Sequence, residues 1–145
     1  GRTYMPQIEN PFTDADRLLD ESSEPLPPVR LVDFHCELTS EKNAMGHFLD
    51  GKVAAVVGTH THVPTCDHRV LPKGTAYCTD LGMTGPYDSI LGRDKDKVLR
   101  HFMTTMPMPF DVADKDVRIS GCIATVDTES GHASACERFQ KRMDA

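Results

Sequence analysis

An apolar run at residues 53–57, Val-Ala-Ala-Val-Val, stops at a glycine and leads directly into Thr-His-Thr-His. A short run rich in valine and closed by glycine predicts a buried strand rather than a helix. In an extended His-x-His segment alternate side chains point the same way, so His60 and His62 can converge on one metal ion or on two adjacent ions. A pair of exposed surface histidines is the alternative, but the buried strand directly before them favours a metal site.

A second predicted strand at residues 29–34 ends next to His35. Between the two strands, residues 39–50 carry a helical pattern that Thr39 or Ser40 caps. The expected buried stripe of this helix consists of Ala44, Met45, Phe48 and Leu49. A strand-helix-strand unit predicts two parallel strands in one sheet, side by side or nearly so, whose loops meet at one edge. Open α/β sheets place their sites at such carboxyl ends, so His35 is expected beside the two later histidines.

The remaining elements are predicted from caps, turn residues and apolar spacing. They are a short helix that Thr13 caps and that ends by Ser23, a hairpin of residues 69–72 and 75–78, a helix at 94–105 with Val98, Leu99 and Phe102 as its apolar side, and a closing hairpin of 116–126 with a turn at 128–131. The charged tail from Glu137 is expected to fray. Four further histidines, His47, His68, His101 and His132, are interpreted as surface or packing residues outside the site.

Composition narrows the class of protein. A formal net charge of -6 and a pI near 5.6 argue against a nucleic-acid polymer as partner, because such proteins need a basic surface. The longest apolar stretch has five residues and predicts no membrane span, so we expect a cytoplasmic protein. The five cysteines are odd in number and contain no Cys-x-x-Cys, which favours reduced thiols over disulfides or structural zinc.

Four sequence blocks together resemble a known family. They are Val-Asp-Phe-His-Cys-Glu at 32–37, Thr-Ser-Glu-Lys at 39–42, Val-Val-Gly-Thr-His-Thr-His-Val at 56–63 and Thr-Asp-Leu-Gly-Met-Thr-Gly-Pro at 79–86. In order and spacing they are similar to the bacterial metallophosphoesterases of the YmdB type, which are calcineurin-like phosphodiesterases acting on 2′,3′-cyclic nucleotides. The similarity runs from about Gly1 to about Cys122.

The resemblance implies a fold class and a domain assignment. Residues 1–145 are expected to form the C-terminal part of a single metallophosphoesterase domain, an α/β fold in which a calcineurin-like β-sandwich is flanked by helices. Family members are nearly twice as long, and their first half carries an aspartate, a Glu-Asn pair and a Gly-Asn-His block that this chain lacks. We therefore expect a missing N-terminal half, or another chain, as partner. An exposed apolar surface and a homo-oligomer are compatible with that expectation.

By the same resemblance, His35, His60 and His62 match family metal ligands. Glu37 is a candidate to orient one of these imidazoles without itself binding the metal. The implied cofactor is a pair of divalent or trivalent transition-metal ions. Neutral imidazoles suit Fe, Mn or Zn and are poorer ligands for Mg. Fe or Mn is the expected metal, with Zn or Mg as alternatives.

The glycine-containing loop at 79–86 is a candidate wall of a phosphate pocket, because glycines let backbone N–H groups approach an anion closely. Its candidate residues are Gly82 and Thr84, together with Thr61 of the histidine segment. A tight structural loop is an equally good interpretation.

The implied function is metal-dependent hydrolysis of a small phosphodiester, a 2′,3′-cyclic nucleotide or a similar compound, with the catalytic residues in the missing half. Two alternatives stay open. One is a non-catalytic metal-binding fragment or subunit that completes a site only with another chain. The other is a mononuclear zinc hydrolase that uses His35, His60 and His62 with water as fourth ligand.

Overall fold

The computed structural model describes residues 1–6, 8–20 and 26–143. Its elements in chain order are α1 (Pro11–Asp20), β1 (Leu31–His35), α2 (Thr39–Phe48), β2 (Ala55–Thr59), β3 (Arg69–Val70), β4 (Ala76–Cys78), β5 (Gly85–Pro86), α3 (Lys95–Thr104), β6 (Val117–Val126) and β7 (Ala133–Arg142). None of the helices in this described part of the chain has the length and apolar character needed to span a bilayer.

The first sheet has the strand order β1-β2-β4-β3. β1 and β2 run parallel and side by side, with Leu31 opposite Ala55 and His35 opposite Thr59, and α2 forms the crossover between them. β4 pairs with β2 in parallel. β3, which precedes β4 in the chain, pairs antiparallel with its other edge and forms the predicted hairpin. The predicted strand-helix-strand unit is therefore confirmed, and it brings the carboxyl ends of β1 and β2 to the same edge.

The second sheet has the order β5-β6-β7 and is dominated by the long antiparallel β6–β7 hairpin. It packs on the first sheet through three small buried residues, Ala55, Ala76 and Ala133. α1 and α2 cover the opposite face of the first sheet, where Phe12 and Met45 pack with the apolar side chains of β1 and β2. The predicted α/β class, with two sheets flanked by helices, is confirmed.

α2 approaches the first sheet closely because Gly46 lies against Tyr77. A Cβ atom at position 46 would stand 2.5 Å from two carbons of the Tyr77 ring. Tyr77 is fully buried and donates or accepts a hydrogen bond at Thr79 through its hydroxyl, 2.9 Å away. This contact fixes the height of α2 above β2 and β4.

The first helix begins earlier than predicted. Asn10, not Thr13, caps α1, because its Oδ1 accepts the N–H of Phe12 at 3.1 Å. Pro11 occupies the first helical position, where its missing N–H costs nothing and its fixed φ suits the helix. The predicted end of this helix at Ser23 lies outside the described residues.

The predicted apolar faces of the other two helices are partly wrong. Ala44 is exposed on α2, and Leu99 and Phe102 are 51% and 74% exposed on α3. The buried positions of α2 include Lys42 and Gly46 instead, because a buried carboxylate pairs with Lys42 and the Tyr77 ring requires glycine. Apolar spacing alone could not reveal either partner.

Strand boundaries also differ from the sequence prediction. β1 and β2 begin two residues later than the predicted runs at 29–34 and 53–57 and extend through His35 and Thr59. The tail does not fray at Glu137, because β7 pairs with β6 as far as Arg142 opposite Arg118. All five cysteines are free thiols.

Candidate functional site

His35 and His60 meet at the carboxyl ends of two neighbouring parallel strands. His35 closes β1, and His60 follows β2 directly. Nε2 of His35 lies 2.9 Å from Nδ1 of His60, and the two rings stand nearly perpendicular with centroids 4.7 Å apart. The parallel register, which sets His35 opposite Thr59, produces this contact between residues 25 positions apart in the sequence.

Each ring of this pair has a further polar partner on its other nitrogen. Nδ1 of His35 lies 3.0 Å from Oγ1 of Thr59, and that hydroxyl donates to Oδ1 of Asp33 at 2.7 Å. Nε2 of His60 lies 2.7 Å from Oε2 of Glu37. Glu37 thus contacts an imidazole of the pair. Thr59 and Asp33 were not singled out in the sequence, because only the strand register brings Thr59 between Asp33 and His35.

His62 has a separate contact. Its side chain is exposed, and its Nδ1 lies 3.2 Å from the carbonyl oxygen of Leu91. Across the described ranges 1–6, 8–20 and 26–143, no three His, Cys, Asp or Glu side chains form a group arranged to hold a metal ion. The chain therefore brings His35 and His60 together and keeps His62 on the same loop, without assembling all three around one point.

The loop that carries the histidines has an unusual backbone. His60 and His62 adopt positive φ values of 109° and 65°. Non-glycine residues rarely occupy this region, and they persist there only when surrounding contacts hold them. Strain of this kind is concentrated at functional sites.

Asp80 supplies the contacts that hold the loop. Its Oδ2 accepts from both the backbone N–H and the hydroxyl of Thr61, at 3.0 and 2.7 Å, and from Nζ of Lys42 at 2.7 Å. Its Oδ1 accepts the N–H of Gly82 at 2.8 Å. The segment of Thr79 and Asp80 can lie this close to β2 because Gly58 has no side chain. A Cβ at position 58 would stand only 1.8 Å from the Thr79 carbonyl oxygen.

The pair of Lys42 and Asp80 is buried, with each side chain 1% exposed. Burial alone would raise the pKa of Asp80, but the hydrogen bonds from Lys42 and Thr61 outweigh it and lower the pKa below its usual value. Asp80 is therefore an ionised anchor beneath the histidine loop. No sequence pattern indicates this pairing. Lys42 lies on the same face of α2 as Met45, but its buried partner is 38 positions away in the sequence.

The three candidate phosphate-pocket residues occupy different surroundings. Thr61 directs its N–H and hydroxyl to Asp80, and Gly82 directs its N–H to the same carboxylate. Thr84 is exposed just before β5. In this structure the first two hold the loop in place, and their role toward phosphate stays a prediction.

The paired imidazoles fit a transition-metal ion. The ring nitrogens of His35 and His60 lie 2.9 Å apart, which is a hydrogen-bond distance. Two nitrogen ligands each about 2.0–2.1 Å from one tetrahedral ion would be about 3.3 Å apart, so a small separation of the rings would let them share an ion. Imidazole nitrogen suits Fe, Zn and related metals. Glu37 contacts Nε2 of His60, the ring nitrogen that does not face His35, so it lies behind the pair rather than between its two nitrogens. The donor set agrees with the predicted chemistry, although it is smaller than a full coordination shell.

Comparison of the sequence with known families finds a match across nearly the whole chain. Residues 1–139 match the family described as YmdB-like protein. A 2′,3′-cyclic-nucleotide 2′-phosphodiesterase of Bacillus subtilis (strain 168) is 49% identical over 139 residues, which cover 96% of this chain and 52% of the relative. The chain thus spans about half the length of the curated relative it matches.

Two solved structures share the fold. The crystal structure of a hypothetical protein from Thermus thermophilus has a TM-score of 0.90 and 42% identity, covering 99% of this chain and 55% of that one. A crystal structure described as a novel phosphatase, from Mycoplasma pneumoniae, has a TM-score of 0.87 and 35% identity, covering 95% and 49%. Each match again covers about half of the longer chain.

Proposed function

This chain belongs to the YmdB-like protein family, and from that premise we propose that the intact protein is a metal-dependent phosphodiesterase. Its proposed substrates are 2′,3′-cyclic nucleotides or similar small phosphodiesters, in line with the name of the Bacillus subtilis relative. The observation that carries the proposal is the 2.9 Å approach of His35 Nε2 to His60 Nδ1 at the carboxyl ends of adjacent parallel strands.

In this proposal His35, His60 and His62 are the metal ligands that the chain contributes, and Glu37 orients His60 through the 2.7 Å contact with its Nε2. A dinuclear centre, with Fe or Mn favoured and Zn or Mg as alternatives, would lower the pKa of water and neutralise charge on phosphate oxygens. Asp80 keeps the loop of His60 and His62 in its strained conformation, so that the ligands are in place before substrate arrives.

We further propose that residues 1–145 are the C-terminal part of one metallophosphoesterase domain, whose remaining ligands and catalytic residues lie in the other part. The relatives are about twice as long, which supports this assignment. Within the described residues β1 is paired on one side only, by β2. An apolar cavity of about 650 Å³ borders Leu31 on one face of β1, and another of about 290 Å³ borders Val32 and Phe34 on the other face.

Such an edge suits a further strand that is apolar on both faces. The rest of the family domain is the proposed source of that strand. A cytoplasmic location and the exclusion of nucleic-acid polymers stay predictions from the sequence.

One alternative keeps support from the structure. This alternative is a non-catalytic metal-binding fragment that completes its site only with another chain. It is supported because the described residues do not assemble a group of three metal-binding side chains. A mononuclear zinc site of all three histidines is less well supported, because His62 contacts the Leu91 carbonyl rather than the other two rings.

The proposal is tested by the turnover of bis-p-nitrophenyl phosphate and of a 2′,3′-cyclic nucleotide by the intact protein with Mn or Fe. We expect His60→Ala and His62→Ala to abolish turnover with little change in thermal stability, because both residues lie on a loop and truncation opens no core cavity. His47→Ala is the matched control, since His47 is an exposed histidine of α2 and should leave the rate unchanged.

Equal rates for the loop variants and the wild type would contradict the ligand assignment. Two metal ions per intact chain would favour the dinuclear phosphodiesterase, and one would favour the mononuclear alternative. The 145-residue chain assayed by itself should be inactive.

A further inference from the structure

We propose that Thr59 and Asp33 are positioning residues that hold His35 as the Nδ1–H tautomer, so that its Nε2 is the nitrogen offered to a metal ion. This inference rests on the proposed ligand role of His35. It adds two residues that act through His35 and touch neither metal nor substrate.

The direction of the hydrogen bonds follows from counting protons. A threonine hydroxyl has one proton, and a carboxylate can only accept. The 2.7 Å contact from Thr59 Oγ1 to Asp33 Oδ1 therefore uses the hydroxyl proton of Thr59. The 3.0 Å contact between Thr59 Oγ1 and His35 Nδ1 must then be a donation from the Nδ1–H of His35. In a neutral imidazole this leaves the lone pair on Nε2.

The lone pair of Nε2 is directed toward the rest of the site. Nε2 of His35 is the atom that lies 2.9 Å from Nδ1 of His60. A histidine ligand whose other ring nitrogen donates to a fixed acceptor has both its tautomer and its ring orientation set. Here the acceptor is a hydroxyl that a carboxylate in turn orients.

The three residues are held by the sheet rather than by a loop. His35 and Thr59 are directly opposite each other in the parallel pairing of β1 and β2, and Asp33 precedes His35 by two residues on β1. Residues two apart on a strand share a face, so the carboxylate, the hydroxyl and the imidazole lie along one side of the sheet. Thr59 is also β-branched, which restricts its side-chain rotation within the strand.

The test uses the intact protein with Thr59→Val, Thr59→Ser and Asp33→Ala. Valine keeps the shape of threonine but offers no acceptor, whereas serine keeps the hydroxyl and is the matched control. Asp33→Ala leaves the Thr59 hydroxyl free to donate to Nδ1, which would favour the opposite tautomer of His35. Asp33 is exposed, so this variant is expected to fold even if Thr59→Val does not.

Two measurements are made without substrate. Long-range ¹H–¹⁵N spectra of histidine-labelled, chelator-treated protein, with His35 assigned from a His35→Asn sample, report which ring nitrogen carries the proton. Titration with Mn²⁺, followed by the electron paramagnetic resonance of the free ion, reports affinity. We expect Nδ1–H in the wild type and in Thr59→Ser, and a mixture or Nε2–H in the other two variants. Mn²⁺ affinity should fall about tenfold or more in Thr59→Val and Asp33→Ala.

Protonated Nε2 in wild-type His35 would overturn the inference, as would wild-type Mn²⁺ affinity in both Thr59→Val and Asp33→Ala. A similar loss of affinity in Thr59→Ser would also overturn it, since the hydroxyl is retained there. Failure of the proposed function has a different signature: wild-type protein that binds Mn²⁺ through His35 but leaves bis-p-nitrophenyl phosphate intact would refute the phosphodiesterase and not the tautomer.

Discussion

Asp80 is the residue on which the geometry of the histidine loop depends most. Four hydrogen bonds from three residues converge on its carboxylate, and the Lys42 ammonium neutralises it in the interior. Breaking a buried ion pair by removing one partner leaves the other charge uncompensated, which is far costlier than losing an exposed pair. The two strained histidines on this loop depend on the same anchor.

Asp80→Ala should lower the free energy of unfolding of the intact protein by about 3–5 kcal/mol, because Lys42 is left buried and unpaired. Asp111→Ala is the matched control, since it breaks an ion pair with Lys97 in which the carboxylate is 65% exposed. It should cost much less than Asp80→Ala, because solvent screens an exposed pair. Urea denaturation measures both, and a loss for Asp80→Ala no larger than that for Asp111→Ala would refute the anchoring role.

Acid should destabilise the protein through two buried or half-buried carboxylates. Burial acts to raise the pKa of both Asp67 and Asp80. Hydrogen bonds from Thr79 and Thr65 outweigh this effect and lower the pKa of Asp67. Hydrogen bonds from Lys42 and Thr61 do the same for Asp80. A carboxylate with a lowered pKa in the folded state stabilises the fold fully above its unfolded pKa of about 3.9 and loses that contribution as the pH falls further.

The free energy of unfolding should therefore fall below about pH 4, and Asp80→Asn should flatten that fall. Thermal unfolding followed from pH 7 to pH 3 provides the measurement. A slope that is the same for wild type and Asp80→Asn would contradict the assignment.

The position of α2 depends on the absence of a side chain at Gly46. Gly46→Ala would place a methyl group 2.5 Å from the Tyr77 ring, and overpacking of this kind costs about 1–3 kcal/mol. Alanine is the better helix former by about 1 kcal/mol, which offsets part of the loss. We expect a net destabilisation of about 1–2 kcal/mol, measured by urea denaturation. In a protein that already carries Tyr77→Leu, the same Gly46→Ala change should cost less. A stabilising Gly46→Ala would show that α2 can move away freely.

The elements themselves could be predicted because their signals are local. Valine-rich runs, the turn at 128–131 and the order of strand, helix and strand indicated the parallel pair, the hairpins and the edge where His35 and His60 meet. Partnerships between distant residues have no such signal. Lys42 and Asp80 are 38 positions apart, and the contact of Thr59 with His35 exists only in one strand register.

Among the described residues, β1 is an edge strand with apolar cavities on both faces. Leu31 is 71% exposed there, and it borders the larger cavity. An unpaired edge with apolar surroundings is a template for association with another strand. The isolated chain is therefore expected to associate unless the proposed remainder of the domain covers this edge.

Leu31→Lys should reduce self-association of the isolated chain, because an edge lysine opposes pairing with a second strand. Met143→Lys, which adds the same charge at an exposed apolar position beyond β7, is the control and should leave association unchanged. Sedimentation velocity over a range of concentrations measures the outcome. A wild-type chain that sediments as a 16.1 kDa monomer throughout would contradict the expectation.

The strand-helix-strand unit also has a consequence for the order of folding. The residues that pair between β1 and β2 are 24 positions apart, whereas Cys136 of β7 meets the carbonyl of Tyr77 across 59 positions. Closing a short loop costs less chain entropy than closing a long one, so local pairings form sooner than distant ones. We therefore expect the contact of His35 with Thr59 to form before the β6–β7 hairpin docks on the first sheet. On that expectation, the two histidines reach each other before the second sheet is in place.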